Sequence, residues 1–242
     1  MADRQITLDV YRFNPDVDAR PYFDRYDLPL RHGMTVLDSL FDVLEKKDGS
    51  LAFRYSCREA ICGACAMFVN GHYVLACQTQ IDSLKTDNIT VGPLPHLKVI
   101  KDLVVDMTPF WNNYKSIMPY LVERAETQEK ENLQSPGERL RIDDMVSCVL
   151  CASCYSSCPA TWTGNRQFLG PSAMQKAARF AFDTRDAKHG DRVDLVSTEA
   201  GLFRCHAAFN CMEACPKDIP VSEAIHALKR ASVARRLGIG RK

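Results

Sequence analysis

Eleven cysteines fall into three runs whose spacings suit metal–thiolate chemistry. In the first run, Cys57, Cys62, Cys65 and Cys77, the gaps are four, two and eleven residues. The four-then-two spacing is that of a plant-type ferredoxin loop, which turns its thiolates inward onto the two irons of a [2Fe–2S] cluster. Gly63 lies between the second and third thiols, where a missing side chain lets the backbone approach the cluster sulfides. A tetrahedral zinc site and a set of buried structural thiols are the alternatives. Zinc usually takes cysteine pairs two residues apart, and the four-residue gap departs from that.

The second run, Cys148, Cys151, Cys154 and Cys158-Pro159, has the two, two, three spacing of a bacterial ferredoxin. The third, Cys205, Cys211 and Cys215-Pro216, repeats it with one gap, and superposing the two puts Ala208 where Cys151 stands. In two-cluster ferredoxins the fourth cysteine of each run ligates the other cluster. Sharing of that kind joins Cys148, Cys151, Cys154 and Cys215 in a four-thiolate [4Fe–4S] site. It leaves Cys158, Cys205 and Cys211 around a site whose fourth corner is a methyl group. Alanine cannot hold an iron, so the expected occupant is [3Fe–4S]. A four-iron cluster with water or hydroxide on its fourth iron, and a cluster lost by drift, are the alternatives. The odd total of cysteines, which no closed set of disulfides accommodates, is then used as four, four and three.

These loops need supports. Ile6, Leu8 and Val10 alternate with polar residues, as in a half-buried strand. Thr35, with Asp38 in capping-box position, starts a helix whose apolar face is Val36, Leu37, Leu40, Phe41 and Leu44. Ala66–Val69 and His72–Leu75 flank Asn70-Gly71, a type I′ turn dipeptide, and this hairpin returns the chain to Cys77. Ile89–Val91 reads as a closing strand stopped by Gly92-Pro93-Leu94-Pro95. Beyond it the periodicity is helical. Thr108-Pro109 reads as an N-cap and a helix-starting proline, and Ser172 as the cap of a helix through Ala173, Ala177, Phe180 and Ala181. Pro220 precedes a last helix through Ile225 and Leu228, while the charged stretch Glu123–Arg141 reads as an exposed connection. The expected fold class is α+β: a β-rich domain over residues 1–105, then an all-α domain over 106–242, divided near residues 100–106.

Composition narrows the role. With 31 basic and 30 acidic side chains the net charge is +1, which gives no support to nucleic-acid binding. The N-terminus lacks an apolar signal core, which points to a compartment where thiols stay reduced. The longest uncharged stretch, Met145–Asn165, carries four cysteines and four serines, so no transmembrane helix is expected. There is no dinucleotide fingerprint, P-loop or nucleophile elbow. His32, His72, His96, His189, His206 and His226 are scattered. Three one-electron centres without a substrate-converting site describe an electron conduit, with donor and acceptor supplied by partners.

The segments Ser56–Cys65, Asp102–Met107 and Phe168–Pro171, together with both Cys-Pro runs, make the chain resemble the iron–sulfur subunits of the succinate dehydrogenase and fumarate reductase family over its whole length. The resemblance implies a β-grasp [2Fe–2S] domain followed by a helical domain with [4Fe–4S] and [3Fe–4S] clusters. It implies a flavoprotein partner with covalent FAD, and a membrane-anchor partner of the cytochrome b type that binds quinone and can hold haem b. The expected location is peripheral, on the cytoplasmic side of the inner membrane. His206, Trp162 and Lys229 match or neighbour residues that line the quinone pocket in relatives; Thr163 departs from a second tryptophan found there in some of them. Thr163, and Lys98, Ile100 and Lys101 after the Gly92–Pro95 stop, resemble fumarate reductases more. From Lys217 to Lys242, seven basic residues face two acidic ones, a tail able to meet anionic headgroups or an acidic anchor surface. An electron-transfer subunit of another quinone-linked flavoenzyme, and a redox-inactive zinc module, are the competing functions.

Overall fold

The computed structural model describes residues 4–123, 131–163 and 168–239. Residues 124–130 of the charged connection, and Arg241 and Lys242 of the basic tail, lie outside them. The strands are β1 (Gln5–Arg12), β2 (Tyr22–Pro29), β3 (Ala66–Val69), β4 (His72–Leu75), β5 (Asn88–Gly92), β6 (Val99–Lys101) and β7 (Val104–Val105). The helices are α1 (Val36–Lys46), α2 (Thr108–Ser116), α3 (Pro136–Leu140), α4 (Asp143–Val146), α5 (Ser153–Ser157), α6 (Pro159–Trp162), α7 (Gly170–Ala181), α8 (His189–Val196), α9 (Asn210–Glu213) and α10 (Val221–Arg236). Two units emerge: residues 1–107 with 149–156, and residues 108–148 with 157–242.

In the first unit five strands form a mixed sheet in the order β2-β1-β5-β3-β4. Only β1 and β5 run parallel. Ile6, Leu8 and Val10 are buried on the core side of β1, as their alternation requires; full burial of each such side chain contributes about 1.5–3 kcal/mol. Thr35 caps α1 in a complete capping box with Asp38. The helix buries Val36, Leu37, Leu40 and Val43, whereas Phe41 and Leu44 are half-buried. Phe41 instead packs edge-on against Phe53 and Tyr55. Asn70 (φ 47°) and Gly71 (φ 85°) make the expected type I′ hairpin between β3 and β4. Sequence alternation does not reveal β2, because Leu28 is its one buried residue.

The second unit is helical. Along α7, Ala173, Ala177, Ala178 and Ala181 are buried, and their small side chains let α8 and α10 approach closely. Three sequence expectations change here. Ser172 lies inside α7, buried, and the helix starts at Gly170 with Leu169 as its cap. Within the expected connection, Ser135 and Glu138 form a capping box that starts α3 at Pro136, and nothing on that helix is buried. Thr108 is already helical in α2. A buried ion pair, Arg192–Asp186 at 2.7 Å, organises the interior of this unit. The Arg192 guanidinium also donates to the carbonyls of Ile117, Met118 and Tyr120, which leaves no unpaired charge.

Candidate metal centres

The loop that carries Cys57, Cys62 and Cys65 is held from both ends. Upstream, the buried Asp102 pairs with Arg12 and accepts the N–H of Ala52, which fixes the chain entering the loop. Downstream, the Ala76 N–H donates to the Cys65 carbonyl across the β3–β4 hairpin (3.0 Å). The start of α1 is hooked to the same segment, with the N–H of Leu37 on Ala76 O and that of Val36 on Thr79 O. Cys77 is therefore fixed beside Cys65 by the hairpin and the helix together.

Inside the loop Arg58, Ala60 and Gly63 have positive φ (61°, 56° and 72°). The alternation turns successive N–H groups inward, a nest suited to an anion. The N–H groups of Glu59, Ile61 and Cys62 donate to Cys57 Sγ at 3.3–3.4 Å, and that of Ala60 donates to Cys77 Sγ at 3.3 Å. Those backbone bonds, Glu59 first, pull the Cys57 thiol down to about 7. Burial pushes the Cys65 thiol the other way, to about 12. A thiol so buried ionises only when a cation replaces its proton, and metal coordination does that outright. This donor set, thiols ringed by amide N–H groups, fits an anionic iron–sulfur cluster.

The second and third runs fold as copies. Leu150 and Ala152 have positive φ at the second and fourth positions after Cys148, and Ala207 and Phe209 repeat this after Cys205. In each copy a short helix follows at the fifth position, α5 at Ser153 and α9 at Asn210. The copies are tied where the shared ligands begin: Ser157 Oγ donates to Asn210 O and Asn210 Nδ2 to Ser157 O, both at 3.3 Å. These two residues immediately precede Cys158 and Cys211.

Around the remaining three thiols lies a small cavity of about 30 Å³, lined by Cys158, Cys205, Cys211, His206 and Ala208, with Phe168 and Ile225 among its apolar walls. The Cys211 thiol is pushed up to about 12 by burial, with the nearby charges of Cys158 and Cys205 adding to the effect. Ala208, at the gap in the third run, lies in the wall of this cavity. Among the described residues no group of three or more His, Cys, Asp or Glu is arranged to hold a single metal ion.

Two lysines that reach these loops differ in how visible they are in sequence. Lys229, on α10, donates from Nζ to Cys205 O at 2.8 Å, next to His206. Trp162 ends α6, four residues after Cys158, and is 38% exposed. Lys176, on α7, escapes sequence reasoning: its buried Nζ donates to Met145 O and Cys148 O, each at 3.3 Å. Gln175 beside it donates to Met145 O at 2.7 Å. The sequence signal was a Gln-Lys pair on the inner face of an Ala-rich helix, which reads as surface until the helix is seen to be buried.

Residues 7–112 match a family described as a 2Fe-2S iron-sulfur cluster binding domain, and residues 144–219 one described as a 4Fe-4S dicluster domain. The chain is 40% identical over 227 residues to the succinate dehydrogenase iron-sulfur subunit of Paracoccus denitrificans, covering 93% of this chain and 87% of that one. It is 42% identical over 228 residues to the mitochondrial succinate dehydrogenase [ubiquinone] iron-sulfur subunit 1 of Oryza sativa subsp. japonica, covering 93% and 81%. In fold it matches a chain of the Mycobacterium smegmatis Sdh1 complex in the apo form, with TM-score 0.87 and 24% identity over the full length of both.

Proposed function

The chain belongs to the iron–sulfur subunits of the succinate dehydrogenase and fumarate reductase family, and from that premise we propose that it relays electrons between the FAD of a flavoprotein subunit and quinone at a membrane-anchor subunit. It is an electron-transfer subunit of such an enzyme complex. In this reading Cys57, Cys62, Cys65 and Cys77 hold [2Fe–2S]. Cys148, Cys151, Cys154 and Cys215 hold [4Fe–4S], and Cys158, Cys205 and Cys211 hold [3Fe–4S]. Each cluster supplies reversible one-electron chemistry. The residues set its terms: amide nests stabilise thiolates, and apolar walls such as Phe168 and Ile225 keep water from the sulfur ligands. His206 lines the three-thiol cavity and Lys229 reaches the Cys205 carbonyl; together with Trp162 they are assigned to the quinone side. The complex is placed on the cytoplasmic side of the inner membrane, held there by the anchor, which is of the cytochrome b type. Among the described residues no helix is long and apolar enough to cross a membrane.

The observation that carries the reading is the single cavity shared by Cys158, Cys205, Cys211 and Ala208. Low-temperature EPR of the purified complex tests it. A [3Fe–4S] signal is expected on oxidation and a [2Fe–2S] signal on reduction. A colourless protein with one zinc per four cysteines would overturn it. Direction is read by comparing succinate oxidation with fumarate reduction using matched high- and low-potential quinones; the fumarate-reductase-like Thr163, Lys98, Ile100 and Lys101 lead us to expect the low-potential pair to be favoured.

A further inference from the structure

Lys176 is buried, and among the described residues no carboxylate lies within ion-pair distance of it. Its neighbour Arg179 has Asp183 at 3.2 Å; Lys176 has only the carbonyls of Met145 and Cys148. Carbonyl dipoles solvate an ammonium but do not neutralise it, and a buried lysine without an anion is costly. Gln175 already occupies the Met145 carbonyl, so packing the helix against this loop does not require a second donor there. Burial lowers the pKa of the Lys176 ammonium; a charge on Cys148 opposes that, and the Arg179 guanidinium adds to it. The internal repeat offers a parallel. Cys205 is the counterpart of Cys148, and its carbonyl also accepts from a lysine, Lys229 of α10. Lys176 and Lys229 occupy different helices, so each first cysteine has been given its own ammonium.

We propose that Lys176 is the counter-charge of the centre that Cys148 helps to hold, and that this fixed charge raises the centre's reduction potential. The inference rests on the assignment of Cys148 to the four-iron cluster made above. Reduction adds one electron, and so one negative charge, to a four-thiolate centre. A cation fixed against one of its ligands favours the more negative form. Lys176 is therefore a positioning and tuning residue, remote from the reacting carbon atoms of any substrate.

The test is redox titration of the intact complex, followed by EPR, in wild type, Lys176→Gln and Lys176→Arg. Glutamine keeps a donor for the Cys148 carbonyl and removes the charge; arginine keeps the charge. In Lys176→Gln the four-iron cluster is expected to become at least tenfold harder to reduce, a midpoint lower by about 59 mV for a one-electron couple. The [2Fe–2S] midpoint stays where it was, and Lys176→Arg stays near wild type. Loss of four-iron signal in Lys176→Gln but not in Lys176→Arg also supports the proposal, since charge is what arginine retains. An unchanged midpoint in Lys176→Gln with iron content preserved overturns it, as does loss of the cluster in both variants. A wild-type complex lacking any four-iron cluster would overturn the cluster assignment itself and this inference with it.

Discussion

Replacing Gly63 with alanine should disturb two cysteine loops through one methyl group. Gly63 sits at φ +72°, and a Cβ built there meets the Val149 carbonyl oxygen within bonding-clash range, with Cys151 Cα at 3.0 Å and Cβ at 3.1 Å. Two costs add. A non-glycine residue in the left-handed region loses about 1–2 kcal/mol. Forcing a methyl against backbone that cannot rotate away loses about 1–3 kcal/mol more. The expected destabilisation is about 2–5 kcal/mol. At about 2–4 °C per kcal/mol for a chain of this length, the thermal midpoint should fall by about 4–20 °C. Because the pressure falls on residues 149–151 as well as on the Cys57–Cys65 loop, the EPR signals assigned to the first and second centres should both broaden or shift. The oxidised three-iron signal, whose cysteines lie elsewhere, should not. Scanning calorimetry and EPR on the same preparation read both effects. A variant with an unshifted midpoint and unchanged spectra would refute the claim that Gly63 is there for close backbone approach.

Further outcomes follow from other sites. Ala208→Cys places a thiol in the wall of the three-cysteine cavity, and should replace the oxidised three-iron EPR signal with a four-iron cluster visible on reduction; persistence of three irons would mean that position 208 is not beside the vacant corner. Thr35→Ala removes the capping oxygen that accepts the Asp38 N–H, and should cost about 0.5–2 kcal/mol in denaturant melts. Asp186→Asn leaves Arg192 buried without its anion and should cost about 3–5 kcal/mol. Burial pushes the Asp186 carboxyl up, but hydrogen bonds from Arg192 and from the N–H groups of Val122 and Lys188 outweigh it, so its pKa is lowered. A lowered carboxylate stabilises the fold above its unfolded value near 3.9 and loses that contribution as pH falls through the folded value. Wild-type melting temperature should therefore drop below about pH 4, and Asp186→Asn should show a shallower acid limb.

What was legible without coordinates was local in cause. The β1 alternation, the Thr35–Asp38 cap, the Asn70-Gly71 turn and the start of the last helix after Pro220 each depend on a few neighbouring residues, and each is present. Cysteine spacing belongs to the same class, because a ligand loop must close within its own few residues; the repeat of the second run by the third, with its vacancy at Ala208, could be read by counting. Elements with little burial or short length escaped: β2 because one residue of it faces the core, α3 because none of it does, and Ser172 because a serine after Gly-Pro looks like a cap until the helix begins two residues earlier. Tertiary structure decided which thiols share a cavity, through the reciprocal Ser157–Asn210 bonds that bring Cys158 toward Cys205 and Cys211. It also decided which cations reach the ligand loops. Lys176 and Lys229 are 28 and 24 residues from the carbonyls they bind, and no local rule couples groups so far apart; only the packing of α7 and α10 within the helical unit does.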